Sequence, residues 1–120
     1  MAKQAMVEAE VTFLPKSEGG RNFPDGIFQS LQYRPHIVIG DPMQLKPIIV
    51  DGNRLTESYL GIAFSNGPQK VKHGQPLKTT MLLVAWPMAD YETVVPDATF
   101  TLREGGRIIG YGKILRRWIE

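Results

Sequence analysis

The stretch VEAEVTFL (Val7–Leu14) has a period of two, with Val7, Ala9, Val11 and Phe13 on one side and Glu8, Glu10 and Thr12 on the other. Successive side chains of a strand point to opposite faces, so the pattern predicts a half-buried β-strand rather than a helix. ATFTLR (Ala98–Arg103) repeats it, setting Ala98, Phe100 and Leu102 against Thr99, Thr101 and Arg103. Further strands are predicted at His36–Ile39, Ile48–Val50, Tyr59–Phe64, Leu77–Trp86 and Arg107–Trp118, where β-branched and aromatic residues concentrate. Turn signals separate them: Pro24-Asp25-Gly26, Asp51-Gly52-Asn53, Asn66-Gly67-Pro68 and His73-Gly74. Asn-Gly and Asp-Gly supply the positive φ that tight hairpins require. No window carries a helical stripe, although NRLTESYLG (Asn53–Gly61) has room for one turn. Six or seven short strands with no dividing linker predict one all-β domain, an antiparallel barrel or sandwich. A chain of 120 residues buries enough surface to fold without staples.

Composition removes several chemistries. The chain has no cysteine, which excludes disulfides, thiolate metal sites and thiol catalysis, and fits a reducing, cytoplasmic setting. The longest apolar run, MLLVAW (Met81–Trp86), is far too short to span a bilayer, and the N-terminal residues carry no signal-like apolar run. A soluble protein without a membrane partner is expected. Net charge is +2, too small by itself to mark a nucleic-acid footprint. The C-terminal run REGGRIIGYGKILRRW gathers Arg103, Arg107, Lys113, Arg116 and Arg117 against one acid, Glu104, and predicts a solvated basic edge strand. His36 and His73 belong to no ligand-spaced cluster, so half-exposed imidazoles and no metal are expected. Glu8 and Glu10 face solvent from one strand, and none of Ser17, Ser30, Ser58 and Ser65 lies in a nucleophile elbow. Trp86 and Trp118 read as core or rim aromatics, Trp118 beside Arg116 and Arg117 being the one place where a base could stack. No catalytic residue and no cofactor is indicated.

The tetrapeptide EGGR occurs twice, at Glu18–Arg21 and Glu104–Arg107, in unlike flanks that argue against an internal repeat. In TFTLREGGRIIGYG the glycines join two strand-like segments, as a type I turn ending in a left-handed glycine bulge would. Both copies read as hairpin-type turns, with Glu and Arg pairing across each neck. Phosphate-binding fingerprints fail. In RIIGYGKI, Arg107 stands where the first P-loop glycine belongs and Ile114 where the hydroxyl belongs. No third glycine follows Gly110 and Gly112, which within a strand mark a bulge or the close approach of another backbone.

VEAEVTFLPKSEGGRNFPDG…YRPHIVI resembles the opening of the C-terminal β-barrel domain of translation elongation factor Tu. ATFTLREGGRIIGYGKI resembles that domain's close, and VKHGQPLKTTMLLVAWPM its middle. The resemblance spans Val7 to about Leu115, with a poor match around Leu45–Tyr59. It implies a six-stranded antiparallel, Greek-key-type barrel over residues 7–118, with residues 1–6 as an N-terminal extension. It also implies a non-catalytic module that contacts the T-stem of aminoacyl-tRNA, a GTP-binding domain and an exchange factor. Glu104 and Gly105 then match tRNA-contacting positions, and Arg21 and Arg107 match the arginines of the two motifs. Three positions depart from the family: Asn22 for histidine, His36 for glutamine, and Trp86 for a polar or basic residue before the late proline.

Two readings follow. One is an RNA-binding or translation-factor-binding module that uses the face carrying Arg21, Glu104, Gly105 and Arg107. The other is a protein-docking or self-associating module that has lost RNA binding, with Phe23, Ile27, Phe28 and Leu31 of the long loop NFPDGIFQSLQ as apolar anchors. An enzyme ranks last.

Overall fold

Six strands pair edge to edge until the sheet closes on itself. The computed structural model describes residues 3–50, 54–55 and 57–120. The barrel strands are β1 (Ala5–Phe13), β2 (His36–Ile39), β5 (Leu60–Asn66), β6 (Leu77–Leu83), β7 (Thr99–Glu104) and β8 (Arg107–Ile119). Two short strands, β3 (Ile49–Val50) and β4 (Arg54–Leu55), form a separate ribbon. The order around the barrel is β1-β6-β5-β2-β7-β8, every pair being antiparallel. Strands β2, β5 and β6 form a meander with β1 and β7 returning to its two sides, which is Greek-key connectivity. No helix among the described residues is long and apolar enough to cross a membrane.

The alternation of β1 and β7 holds on the inner face: Val7, Ala9, Val11, Phe13, Phe100 and Leu102 are fully buried. Closure corrects the expectation of an edge at the C-terminus. The basic strand is β8, which pairs with β1 along its length and with β7 on the other side. The barrel also starts earlier than Val7, since Ala5 and Met6 are buried in β1 opposite Ile119 and Trp118. β6 ends at Leu83, before Trp86, whose N–H bonds the Leu83 carbonyl in a turn. The turn expected at 51–53 lies outside the described residues. Where NRLTESYLG had room for a helical turn, its described residues hold β4 and the start of β5.

Two glycines of β8 are there because backbone approaches them. A Cβ on Gly112 would sit 2.2 Å from the Glu10 carbonyl oxygen, and one on Gly110 would sit 2.6 Å from that of Thr12.

The loop between β1 and β2 plugs one mouth of the barrel. Phe28 is fully buried and Phe23 and Ile27 pack against the core. The ring centroids of Phe28 lie 5.8 Å from Phe13 and 4.9 Å from Phe64, and Phe13 and Phe23 are 4.6 Å apart. These side chains were expected as anchors for a partner; Phe28 is a core residue instead, and Phe23 and Ile27 are half-buried against the core, because the mouth of a small barrel must be filled. Leu31 remains half-buried.

Candidate functional site

The two EGGR copies fold differently. In the first, Lys16–Glu18 forms a 3-10 turn that ends on Gly19 at φ 105°, and the Gly20 N–H bonds the Pro15 carbonyl. A Cβ on Gly20 would lie 1.7 Å from the Leu14 carbonyl oxygen, so only glycine fits there. The chain does not turn back on β1: the next strand, β2, pairs with β5 and β7. The first copy is therefore not a hairpin. The second is, with Glu104 paired to Arg107 around a two-residue loop whose first glycine, Gly105, has φ 59°. That is the two-residue loop with a left-handed glycine in first position rather than the three-residue bulged turn expected. The bulge lies earlier, between Leu102 and Arg103.

Glu and Arg do not pair across each neck either; each arginine serves the other copy. Arg21 Nε donates to Glu104 Oε1 and Oε2 at 2.8 and 2.9 Å, and its Nη2 to Oε2 at 2.7 Å. Arg107 Nε donates to the Gly19 carbonyl and its Nη2 to the Gly20 carbonyl, both at 2.7 Å. Glu104 also accepts the Tyr33 hydroxyl at 2.7 Å. The Arg21 guanidinium lies 4.2 Å from the Phe23 ring centroid, and the Arg21 carbonyl accepts His73 Nε2–H at 2.7 Å. Three of the four expected site residues, Arg21, Glu104 and Arg107, thus meet in one clasp, with Gly105 exposed at its side. Tyr33, Phe23 and His73 belong to it too, and nothing local in their sequence surroundings announces this.

The electrostatics follow from the geometry. The hydrogen bonds from Arg21, then that from Tyr33, hold the Glu104 carboxyl below its ordinary range against the opposing effect of burial. Burial, then the bond to Glu104, pushes the Tyr33 phenol up. Glu104 raises Arg21 in turn. The Arg21–Glu104 pair therefore stays ionised across the pH range where proteins work.

A second polar network lies on the barrel wall. Arg103 is fully buried although its strand pattern predicts it outward, because Glu57 and the Gln44–Ile48 segment cover that face. Its Nη1 and Nη2 donate to the two Glu57 oxygens at 3.0 and 2.8 Å, its Nη1 to the Tyr59 hydroxyl at 2.9 Å, and its Nε to Thr101. Gln44 Nε2 and the Ile48 N–H complete the shell of Glu57. Arg103 first, then Gln44 and Ile48, hold the Glu57 carboxyl at about 2.

Two further arginines of the C-terminal run are engaged. Arg117 Nη1 donates to the Tyr91 and Val94 carbonyls at 2.7 and 3.2 Å. Arg116 covers one face of Trp118 at 4.2 Å and reaches Glu8 at 3.7 Å. Glu8 is half-buried and Glu10 exposed; His36 is exposed against Tyr59, and Trp86 packs on the core. Among the described residues no group of three His, Cys, Asp or Glu is placed to hold a metal.

Beside the first EGGR copy lies an apolar groove of about 600 Å³, lined by Leu14, Pro15, Met43, Leu45 and Tyr111 among others. Met43 and Leu45 stand 67% and 81% exposed. No family model matches the chain.

Proposed function

We propose that this chain is a non-catalytic binding module on a barrel of the elongation-factor-Tu third-domain type, and that it docks a protein through the clasp end of the barrel. The observation that carries this reading is the pairing of engaged cations with an open apolar groove. Phosphate recognition needs arginine and lysine donors free to reach the backbone. Here Arg21, Arg103, Arg107 and Arg117 hydrogen-bond within the chain, Arg107 while exposed, which leaves Lys113 and Arg116 as the cations of the C-terminal run with no hydrogen bond of their own among the described residues. Large exposed apolar side chains around a groove are what a protein interface buries at its centre, and methionine adapts to an irregular partner. Gly105 and Asn22 are both exposed.

The experiment is capture from nuclease-treated lysate with the wild type and with Leu45→Asp, alongside a tRNA titration at rising salt. A protein retained by the wild type and lost by Leu45→Asp, with no tRNA binding at about 50 mM salt, is the expected result. Partners that vanish on nuclease treatment, or tRNA affinity that falls steeply with salt, would replace the reading with RNA recognition.

A further inference from the structure

The ladder between β2 and β5 is the shortest of the barrel. Only His36↔Gly61 and Ile37↔Leu60 are paired, whereas on its other side β2 continues through Ile39↔Phe100. Backbone groups of an antiparallel strand point alternately to its two neighbours. The Gly40 N–H bonds Thr99, on the β7 side, and the Ile62 N–H bonds Pro35, on the β5 side. Counting from both, Ile39 directs its N–H and C=O toward β5, where the continued register would set Ser58 opposite. No backbone bond joins Ile39 to Ser58 among the described residues.

A cleft of about 660 Å³ opens there instead, walled by Ile39, Ile48, Ser58 and Leu60. Asp41 and Asp90 line it and are exposed, while no lysine or arginine among the described residues does. Each aspartate uses one oxygen on a local turn, Asp41 for the Met43 N–H and Asp90 for the Glu92 N–H. Glu57, the third acid of the lining, is already neutralised by Arg103.

We infer that this seam is a binding cleft for an extended basic peptide segment, which adds to β2 at Ile39 and sets a lysine or arginine against Asp41 and Asp90. Strand addition supplies main-chain bonds to an open edge, the apolar wall takes a small aliphatic side chain, and the two carboxylates select the cation beside it. The cleft shares no lining residue with the EGGR clasp or with the groove beside it, so its failure leaves the docking of a protein at the clasp end untouched.

The test is amide-resolved NMR titration with a blocked hexapeptide of alternating valine and lysine. Glutamate-for-lysine and N-methylated versions of the same peptide serve as probes. Shifts at Ile39, Gly40 and Ser58, with binding about tenfold weaker for the Asp41→Asn/Asp90→Asn variant, are expected, as two exposed ion pairs would give. The N-methylated peptide, which leaves the protein unaltered, loses binding if main-chain bonds hold the segment. No shift at these residues at millimolar peptide would overturn the inference. So would equal binding of the glutamate or N-methylated peptide.

Discussion

Replacing Arg103 with methionine removes the cation beneath Glu57 while keeping an apolar side chain in the wall. Glu57 is left 6% exposed with its carboxylate bonded only by Gln44 and the Ile48 N–H. A buried charge stripped of its partner costs about 3–5 kcal/mol, and a loss near the lower end is expected because two donors remain. The penalty depends on pH in a defined direction. In the wild type the folded-state pKa of Glu57 is about 2, below the ordinary value of 4.5. A depressed carboxylate stabilises the fold above its unfolded pKa, and that stability drains away as pH falls from about 4.5 to about 2. The contribution is on the order of 2 kcal/mol after allowance for screening. In Arg103→Met the largest cause of the depression is gone, so most of this acid-linked loss disappears and the two stability curves converge toward pH 2. Urea denaturation of both proteins at neutral pH and at about pH 3 measures this, and Arg103→Met/Glu57→Gln should recover most of the neutral-pH loss. A loss under about 1 kcal/mol at neutral pH, or an equal loss at both pH values, refutes the reasoning.

The duplicated motif gives a sharper comparison. Glu104→Ala strips Arg21 and leaves the buried Tyr33 hydroxyl without its acceptor, for a loss of about 2–3 kcal/mol in denaturant titration. Glu18→Ala, at the same place in an identical tetrapeptide, changes stability by under about 0.5 kcal/mol because its side chain is exposed. Gly112→Ala pushes a Cβ against the Glu10 carbonyl and costs about 2–3 kcal/mol by thermal melting. Phe28→Ala opens the plugged barrel mouth and costs about 3–5 kcal/mol, which identifies the long loop as core rather than interface.

Much of the barrel was legible because period two and turn chemistry are local properties. Val7, Ala9, Val11, Phe13, Phe100 and Leu102 point inward as their alternation requires, and Gly110 and Gly112 meet the neighbouring backbone. What the sequence left unread depends on distance along the chain. Closure turns β8 from an edge into an interior strand, and nothing in RIIGYGKILRRW signals that. Arg103 follows the outward phase of its strand, yet Glu57, 46 positions away, covers it. The Asn22–Gln32 loop carries phenylalanines whether it plugs a core or greets a partner, so composition could not separate the two. For the site, the four residues singled out are spatially close, but their pairing is crossed. A glutamate three positions from an arginine looks like a local pair, whereas the left-handed Gly19 and the inward path of Phe23 carry Arg21 to the other copy.

Double-mutant cycles test that crossed pairing most directly. Arg21→Ala with Glu104→Ala should show a coupling energy of about 1–3 kcal/mol, and Arg107→Ala with Glu104→Ala, within one copy, should show a much smaller one. Coupling confined to Glu104 and Arg107, with additivity between Arg21 and Glu104, would mean that the two motifs do not clasp each other.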